Sequence, residues 1–443
     1  MPTLTAVERP VQPAARLRGE LRLPGDKSIS HRALMLALLA RGTSQIRGAG
    51  DGADVRSTAG IAAALGATIS RADTEAGNVD YVVASPGTGA FRQPEVPLDC
   101  GNSGTSMRLF AGILAGRSIR AILDGDASLR RRPMARIVEP LRAMGAWLEG
   151  MAGERPPLMV VGKEPLRGIT WTTPVPSAQV KSAILLAGLA ARGTTTVRES
   201  VATRDHTERM LRARGVAVRS EADGRGARVS IDGGGAVAAA DVHVPGDPSA
   251  AAFWLVAGAI HPAAKIRLRE VGTNPTRRAA IDILRRAGAA IEELSSDVDD
   301  GGEPVADLIV RSSQLEAIEM DPGETAAAID EVPVLCLAAT QARGRSVIRG
   351  AGELRHKESD RIAGIVTGLS ALGARISANG DDITIDGPTA LHGAVVDSLA
   401  DHRLALTFAI GALVAGGATT VLGADSVAIS YPTFFADLER IRS

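Results

Sequence analysis

The chain repeats one pattern six times, and this repetition limits the folds that it can adopt. Each copy is an Ala/Leu-rich helical stretch, then a turn of small residues, then a short strand rich in β-branched residues. The copies cover residues 31–48, 107–125, 181–200, 250–272, 332–350 and 402–423. Successive copies start about 70 to 85 residues apart, which is longer than the period of a solenoid. Each copy is therefore expected to be a complete helix–strand–helix–strand unit.

A second repeated element lies between these copies. It is an amphipathic helix that closes on glycine and leads into a strand, as in IAAALGATI and GLSALGARI. The five glycines are Gly66, Gly145, Gly215, Gly288 and Gly373. Since a Cβ is disfavoured at a left-handed helix C-terminus, we predict a left-handed backbone at each of them.

Two copies open alike, with LPGDKSISHRALM at 23–35 and VPGDPSAAAFWLV at 244–256. Each predicts a strand, a Pro-Gly turn, an Asp or Ser cap and a buried helix. The simplest interpretation is two homologous halves. We expect residues 1–24 to be a tail and a strand that join the second lobe, 25–245 to form the first lobe and 246–443 the second.

The apolar helices have no polar face, so a sheet must cover each of them on all sides. This favours an α/β protein of two lobes built around buried helices. Two ordinary doubly wound α/β domains remain the alternative at this point.

Charge and composition exclude several classes of protein. The formal net charge is zero, with 50 basic and 50 acidic side chains, so no bulk field would attract nucleic acid or an anionic membrane. The distant cysteines, Cys100 and Cys336, do not fit a disulfide framework or a zinc site and are compatible with a reducing cytosol. The N-terminus lacks the apolar region of a signal peptide, and the longest apolar stretch, 404–418, is shorter than a spanning helix. We therefore expect a soluble, cytoplasmic protein.

Cationic, hydroxyl and amide side chains, and one glycine, gather at the predicted starts of the apolar helices. They are Lys27, Ser28, His31 and Arg32; Asn102, Ser103, Gly104, Thr105 and Arg108; Ser177, Gln179 and Lys181; and, beside the acids Asp330, Glu331 and Asp401, His402 and Arg403. Helix N-termini favour anions, and Arg or Lys side chains placed there make phosphate and carboxylate sites. The recurrence predicts a cleft for small molecules with several negative charges. For Arg130–Arg132 alone, a solvated surface run explains the sequence equally well.

In the segment KESDR, Lys357 and Arg361 are four residues apart and would share one face of a helix. An ordinary charge network with Glu358 and Asp360 is the alternative to an anion site.

Two acidic groups have competing interpretations. Asp330 and Glu331 precede an apolar run, where helix capping is the default role, but a carboxylate among cations could instead act as a base. Asp205, His206 and Glu208 could suggest a metal, but a network on the surface of a polar helix is favoured.

Eight motifs, in order from about residue 15 to 440, resemble the 5-enolpyruvylshikimate-3-phosphate synthase family. They are DKSISHRA, GNSGTSMRL, the Arg-rich segment ending in RPM, PSAQVKSAILLAG, TRDHTERM, IDEVPVL, HKESDRI and DHRLAL. The resemblance implies two inside-out α/β lobes, each of three βαβαββ repeats around buried helices, which close about two chain crossings. It also implies transfer of the enolpyruvyl group of phosphoenolpyruvate to shikimate 3-phosphate by addition and elimination, in the shikimate pathway to chorismate and the aromatic amino acids.

The resemblance also implies residue roles. Shikimate 3-phosphate would contact Lys27, Ser28, Arg32, Ser177, Ala178, Gln179, Arg204, Asp330 and Lys357. Phosphoenolpyruvate would contact Lys27, Gly104, Arg132, Gln179, Arg361 and Arg403. Asp330 would be the base, and Glu358, with Lys27 or Lys357 nearby, the acid. Neither a metal nor an organic cofactor is implied, no nucleic-acid or membrane partner is expected, and we expect a monomer.

The sequence also departs from the family pattern. Ile429 stands where some relatives have a Lys, Glu353 where some have Asn and Ala178 where some have Ser, so the roles of these positions stay open. The room that Gly104 leaves is compatible with sensitivity to glyphosate.

Rival functions are a UDP-N-acetylglucosamine enolpyruvyl transferase, an RNA-end-processing or nucleic-acid-binding protein, and an inactive scaffold. The first rival usually carries a Cys near the RP motif, but the segment here reads DASLRRRPM. Scarce aromatic residues disfavour the second. The inactive scaffold is disfavoured because every charged residue of the motifs is present.

Overall fold

A computed structural model of the protein describes residues 7–74, 77–295 and 302–442. The chain divides into two compact units. One unit comprises Gly25–Val244 with Gly302 and Glu303, and we call it the 25–244 unit. The other comprises residues 7–24, 245–295 and 304–442, and we call it the 245–442 unit.

The helices, in chain order, are α1 (Lys27–Leu39), α2 (Ala53–Ala64), α3 (Gly104–Ala115), α4 (Ala135–Ala143), α5 (Ala178–Gly188), α6 (His206–Arg212), α7 (Pro248–Ile260), α8 (Ala279–Arg286), α9 (Pro322–Ala327), α10 (Val332–Gln341), α11 (Arg361–Ala371), α12 (His402–Ala412) and α13 (Phe434–Ile441). Short 3-10 helices lie at Thr88–Ala90, Leu129–Arg131, Gly352–His356 and Ala424–Ile429.

The strands, in chain order, are β1 (Glu8–Val11), β2 (Leu17–Arg22), β3 (Arg41–Gly50), β4 (Thr68–Asp73), β5 (Asn78–Pro86), β6 (Leu98–Asp99), β7 (Arg120–Asp124), β8 (Trp147–Met151), β9 (Arg155–Val161), β10 (Leu166–Arg167), β11 (Thr170–Thr172), β12 (Ala191–Arg192), β13 (Thr194–Glu199), β14 (Val218–Asp223), β15 (Gly226–Asp232), β16 (Val242–His243), β17 (Ala264–Gly272), β18 (Ala290–Ser295), β19 (Val305–Arg311), β20 (Glu319–Met320), β21 (Gly344–Ile348), β22 (Arg375–Asn379), β23 (Asp382–Gly387), β24 (Val395–Asp397) and β25 (Thr419–Leu422).

In the 25–244 unit, α1, α3 and α5 are the buried helices of the core. Small residues let them approach closely: a Cβ on Gly112 of α3 would lie 2.2 Å from the carbonyl oxygen of Ala183 on α5. Glycine is therefore required at this contact. In the 245–442 unit, α7, α10 and α12 are buried in the same way.

Sheets of one recurring topology surround these helices. In the described part of the 25–244 unit, the strand orders are β16-β3-β5-β4, β6-β7-β9-β8 and β11-β13-β15-β14, with a small β10-β12 pair beside them. In each four-stranded sheet the first pair is parallel and the next two pairs are antiparallel.

The described part of the 245–442 unit contains two sheets of this kind, β2-β17-β19-β18 and β20-β21-β23-β22, and a three-stranded sheet, β1-β25-β24. The N-terminal strand β2 pairs in parallel with β17, from Leu17 opposite Ala264 to Arg22 opposite Arg269. In the 25–244 unit, the corresponding parallel strand is β16, which comes from the C-terminal end of the unit and pairs with β3. Separate mixed sheets around buried helices confirm the predicted inside-out α/β architecture and exclude two doubly wound domains.

Local signals at the helix ends also match the sequence patterns. The five predicted glycines, at positions 66, 145, 215, 288 and 373, all have φ between 80° and 112°. Asp26 caps α1 by accepting from the backbone N–H of Ile29, and Asp247 caps α7 by accepting from that of Ser249. Among the described residues, no helix is long and apolar enough to cross a membrane.

Candidate active site

Three helices of the 25–244 unit begin at predicted site residues. Lys27 and Ser28 open α1, Gly104 opens α3, and Ala178 and Gln179 open α5. Each of these helices has a side-chain cap, supplied in order by Asp26, Ser103 and Ser177.

Hydrogen bonds join the first turns of α3 and α5. Arg108 donates from Nη1 to Oε1 of Gln179 at 2.5 Å, and Gln179 donates from Nε2 to Oγ1 of Thr105 at 2.9 Å. Arg132 donates from Nη2 to Oδ1 of Asn102 at 2.8 Å. Burial, followed by the charges of Arg132 and Arg136, lowers the pKa of Arg108 to about 10, so Arg108 remains a cation at neutral pH. The sequence placed Arg108 at a helix start but gave it no role in the site.

Gly104 lies against two of these guanidinium groups. A Cβ at this position would lie 2.7 Å from Nη1 of Arg108 and 3.4 Å from Nη1 of Arg132. The missing side chain thus lets both cations approach the start of α3.

Lys27 forms an ion pair with Asp54 of α2, with Nζ and Oδ2 3.0 Å apart. Burial, the largest single effect, would raise the pKa of Asp54, but the charge and hydrogen bond of Lys27, together with the effects of His31 and Arg132, lower the net pKa. One turn further along α1, burial lowers the pKa of His31 to about 3, and its Nδ1 lies 2.6 Å from Oγ1 of Thr58. His31 is therefore a neutral residue behind Lys27.

Arg32 is buried and held by three hydrogen bonds. It donates to the carbonyl oxygen of Ser28 at 2.9 Å, to Oγ of Ser182 at 3.0 Å and to Oγ1 of Thr207 at 2.7 Å. Its pKa is lowered to about 10, chiefly by burial. Arg204 lies in the segment directly before Asp205, the residue that precedes α6.

A buried ion cluster joins α5 to β13 and α6. Nζ of Lys181 on α5 is 2.9 Å from Oε2 of Glu199 and 2.8 Å from Oε1 of Glu208. Burial would lower the pKa of Lys181, but the two carboxylates outweigh this effect and raise it. The sequence placed Lys181 at a helix start but did not predict that these two carboxylates meet it.

The expected surface network at Asp205, His206 and Glu208 is wrong. His206 and Glu208 are each only 1% exposed, because α6 packs them inward. His206 pairs through Nδ1 with Glu303 at 2.7 Å, whereas Asp205 accepts from Nε of Arg209 at 2.8 Å. The three side chains thus have separate partners, and over residues 7–74, 77–295 and 302–442 no three His, Cys, Asp or Glu side chains group as a metal site.

In the 245–442 unit, three predicted cations surround Asp330. Nζ of Lys357 is 3.5 Å and Nη1 of Arg361 is 3.7 Å from Oδ1, and Nη2 of Arg403 is 3.9 Å from Oδ2. Arg403 also donates from Nη1 to the main-chain oxygen of Asp330 at 2.9 Å. The structure therefore brings these four site residues together.

Arg361 is 1% exposed and is held by two carboxylates. It donates from Nε to Asp401 at 2.7 Å and from Nη2 to Glu358 at 2.7 Å. Burial would lower the pKa of Arg361, but Asp401 and Glu358 outweigh this effect and raise it. Its Nη1 is buried, has no hydrogen-bond partner among the described residues and lies 3.7 Å from Oδ1 of Asp330.

Two local expectations in this unit are wrong. Lys357 and Arg361 do not share a helix, because Asp360 caps α11 by accepting from the N–H of Ala363 at 3.1 Å and the helix starts only at Arg361. Glu331 occupies the cap position of α10, but its side chain makes no capping bond. Both segments direct side chains to the cation cluster instead.

The run Arg130–Arg132 contains both a solvated surface residue and a residue of the cation cluster. Arg130 is exposed and donates from Nε to Asp124 at 2.9 Å, whereas Arg132 belongs to the cluster near Gly104.

Two positions that depart from the family pattern lie in short 3-10 helices. Ile429 ends the 3-10 helix Ala424–Ile429 and is 36% exposed, and Glu353 lies in the 3-10 helix Gly352–His356.

Known proteins resemble the chain over nearly its whole length. The family model described as EPSP synthase (3-phosphoshikimate 1-carboxyvinyltransferase) matches residues 11–438. The chain is 48% identical to a 3-phosphoshikimate 1-carboxyvinyltransferase of Synechococcus sp. (strain JA-3-3Ab), over 97% of this chain and 96% of the relative. It is 45% identical to the protein of that name from Geobacter metallireducens, over 97% and 98% of the two chains.

Solved structures show the same likeness. EPSP synthase from Acinetobacter baumannii superposes with a TM-score of 0.88 and 39% identity, covering 98% of both chains. The enolpyruvyl transferase NikO from Streptomyces tendae superposes with a TM-score of 0.79 at 19% identity, over 99% of this chain and 97% of that one. At that identity NikO supports the fold alone.

Proposed function

Because the chain belongs to the EPSP synthase (3-phosphoshikimate 1-carboxyvinyltransferase) family, we propose that it transfers the enolpyruvyl group of phosphoenolpyruvate to shikimate 3-phosphate. The products are 5-enolpyruvylshikimate 3-phosphate and inorganic phosphate, in the shikimate pathway. The observation that carries this proposal is the set of three cations, Lys357, Arg361 and Arg403, around Asp330.

The charge of the substrates explains why the site is so cationic. Two phosphates and two carboxylates carry about five to six negative charges near neutral pH, since the second pKa of a phosphate is about 6. Their mutual repulsion opposes the reaction unless the protein supplies comparable positive charge. Fixed guanidinium and ammonium groups supply it without reorganising during the reaction.

We assign the substrate-binding residues unit by unit. In the 25–244 unit, Lys27, Ser28, Arg32, Ser177, Ala178, Gln179 and Arg204 serve shikimate 3-phosphate, and Lys27, Gly104, Arg132 and Gln179 serve phosphoenolpyruvate. In the 245–442 unit, Asp330 and Lys357 serve the former substrate, and Arg361 and Arg403 the latter. The hydrogen bonds that fix Gln179, Arg132, Arg361 and Arg403 support this assignment.

Asp330 is the proposed base. Its carboxylate takes the proton of the attacking hydroxyl of shikimate 3-phosphate as the oxygen bonds to the central carbon of phosphoenolpyruvate. The methylene carbon gains a proton from Glu358 or from a lysine, Lys27 or Lys357. Loss of that proton and of phosphate from the tetrahedral intermediate then restores the double bond.

Two substitutions test these roles by steady-state assay of phosphate release. Asp330→Ala should abolish turnover while calorimetry still detects shikimate 3-phosphate binding, and near-normal kcat would remove Asp330 from the base role.

Arg403→Ala should raise KM for phosphoenolpyruvate more than KM for shikimate 3-phosphate. Equal effects on both constants would contradict its assignment, and the exposed Arg343→Ala is the matched control.

We also propose that the enzyme acts as a cytoplasmic monomer with no nucleic-acid partner. Cys100 and Cys336 are buried free thiols, which suits a reducing compartment. Light scattering should give a mass near 45.7 kDa, and twice that mass would contradict the monomer.

A further inference from the structure

A second carboxylate, Glu331, lies buried beside Arg403. Glu331 is 3% exposed. Its Oε1 is 3.9 Å from Nη1 of Arg403 and 4.0 Å from Nη1 of Arg277. The carboxylate thus lies between two guanidinium groups, of which only Arg403 has a proposed role in substrate binding.

Ser249 fixes this carboxylate from the side of α7, and Arg277 in turn holds Ser249. Ser249 donates its hydroxyl hydrogen to Oε1 of Glu331. Arg277 donates from Nη2 to Oγ of Ser249 at 2.9 Å and to Oδ1 of Asp247 at 3.1 Å. Since Asp247 also caps α7, Arg277 is tied to the rigid start of that helix.

Glu331 and Arg403 lie close together but do not form a direct hydrogen bond. A charge-assisted hydrogen bond between a guanidinium and a carboxylate is about 2.7–2.9 Å long, so the 3.9 Å gap is too wide for one. A buried carboxylate needs a positive partner, and without Arg277 the nearest remaining guanidinium is Arg403. A direct bond would occupy an Arg403 donor and offset its charge further.

We propose that Arg277 is a positioning residue for phosphoenolpyruvate binding: together with Ser249, it holds Glu331 away from Arg403, so that the Arg403 guanidinium remains available to the anionic substrate. This inference rests on the proposed role of Arg403. It assigns a function to a residue outside the motifs and explains why the carboxylate next to Arg403 makes no direct hydrogen bond to it.

The test is a double-mutant cycle on Arg277 and Glu331. Arg277→Gln frees the Glu331 carboxylate and should raise KM for phosphoenolpyruvate about tenfold, close to the loss of one hydrogen bond to a charged group, with a smaller change in KM for shikimate 3-phosphate. Adding Glu331→Gln removes the competing carboxylate. The double variant should therefore return KM for phosphoenolpyruvate to within about threefold of Glu331→Gln alone. A merely structural role for Arg277 predicts no such suppression, and its absence would overturn the inference.

Two further variants separate the possible failures. If Arg403→Gln leaves KM for phosphoenolpyruvate unchanged, the proposed role of Arg403 fails; if KM rises there but suppression is missing, only this inference fails. Should Arg277→Gln not fold, Ser249→Ala removes the hydroxyl that anchors Glu331. It should raise KM for phosphoenolpyruvate about threefold, again suppressed by Glu331→Gln. An unchanged KM in Ser249→Ala would count against the inference.

Discussion

Asp401 holds Arg361 with both carboxylate oxygens: Nε of Arg361 is 2.7 Å from Oδ2, and Nη2 is 3.3 Å from Oδ1. Asp401 also caps α12 by accepting from the N–H of Arg403 at 2.9 Å. The two residues before Asp401, Leu399 and Ala400, have φ values of 55° and 54°, which are uncommon for residues other than glycine. One buried carboxylate therefore fixes two proposed phosphoenolpyruvate ligands relative to each other.

We predict that Asp401→Asn lowers both stability and activity. Arg361 would be buried with weaker charge compensation, at a cost of about 3–5 kcal/mol when one partner of a buried pair is removed. The ratio kcat/KM for phosphoenolpyruvate should fall at least about 100-fold, because a misplaced catalytic group costs about that much. Urea unfolding and phosphate release measure the two effects. The exposed Asp425→Asn serves as control, and near-normal kcat/KM in Asp401→Asn would refute the account of Arg361.

We predict that Gly104→Ala impairs phosphoenolpyruvate binding selectively. The new Cβ would lie 2.7 Å from Nη1 of Arg108, so that guanidinium must move, whereas KM for shikimate 3-phosphate should change less. Steady-state assays should show KM for phosphoenolpyruvate raised about tenfold, which is close to the loss of one hydrogen bond to a charged group. Gly60→Ala on α2 is the matched control, since its Cβ would meet nothing within 4 Å. Equal KM values for Gly104→Ala and the control would contradict the proposed crowding.

We predict that Lys181→Met destabilises the protein strongly. It would leave the carboxylates of Glu199 and Glu208 buried without their shared ammonium group, at a cost of about 3–5 kcal/mol. Thermal unfolding followed by circular dichroism should show a clear fall in Tm. The exposed Lys163→Met should leave Tm almost unchanged, and a similar result for Lys181→Met would disprove a structural role for the cluster.

We predict that His31 contributes to acid sensitivity. Its pKa in the fold is about 3, against 6.5 for the ordinary side chain, and burial is the main cause. Between these pH values the unfolded chain binds a proton that the folded chain does not. The free energy of unfolding therefore falls as the pH drops from 6.5 towards 3, by up to about 1.4 kcal/mol per pH unit from this group.

Urea unfolding from pH 7 to pH 4.5 tests this slope. His31→Gln should lose most of the His31 contribution and give a flatter profile than the parent protein. The exposed His392→Gln should keep the parent slope. Parallel profiles for all three proteins would show that His31 titrates normally in the fold.

Much of the fold could be predicted because its signals are local. A glycine such as Gly66 or Gly373 ends a helix through its own backbone freedom, and Asp26 or Asp247 caps a helix a few residues away. The buried helices follow from runs of apolar residues that leave no polar face.

The rest of the site depends on contacts between distant segments. Lys181 meets Glu199 and Glu208 only after strand β13 and helix α6 have packed around α5, and no spacing in the sequence indicates that meeting. Arg277 belongs to no motif, and its importance appears only from its distance to Glu331. The helical interpretation of Lys357 and Arg361 was wrong because the cap at Asp360 starts the helix after Lys357.

The most direct test of the proposed function is to follow the reaction by phosphorus NMR with phosphoenolpyruvate and either acceptor. With shikimate 3-phosphate, the protein should convert both substrates into 5-enolpyruvylshikimate 3-phosphate and one equivalent of phosphate, whereas Asp330→Ala should leave the spectrum unchanged. No product with shikimate 3-phosphate, or transfer to UDP-N-acetylglucosamine instead, would contradict the proposed function.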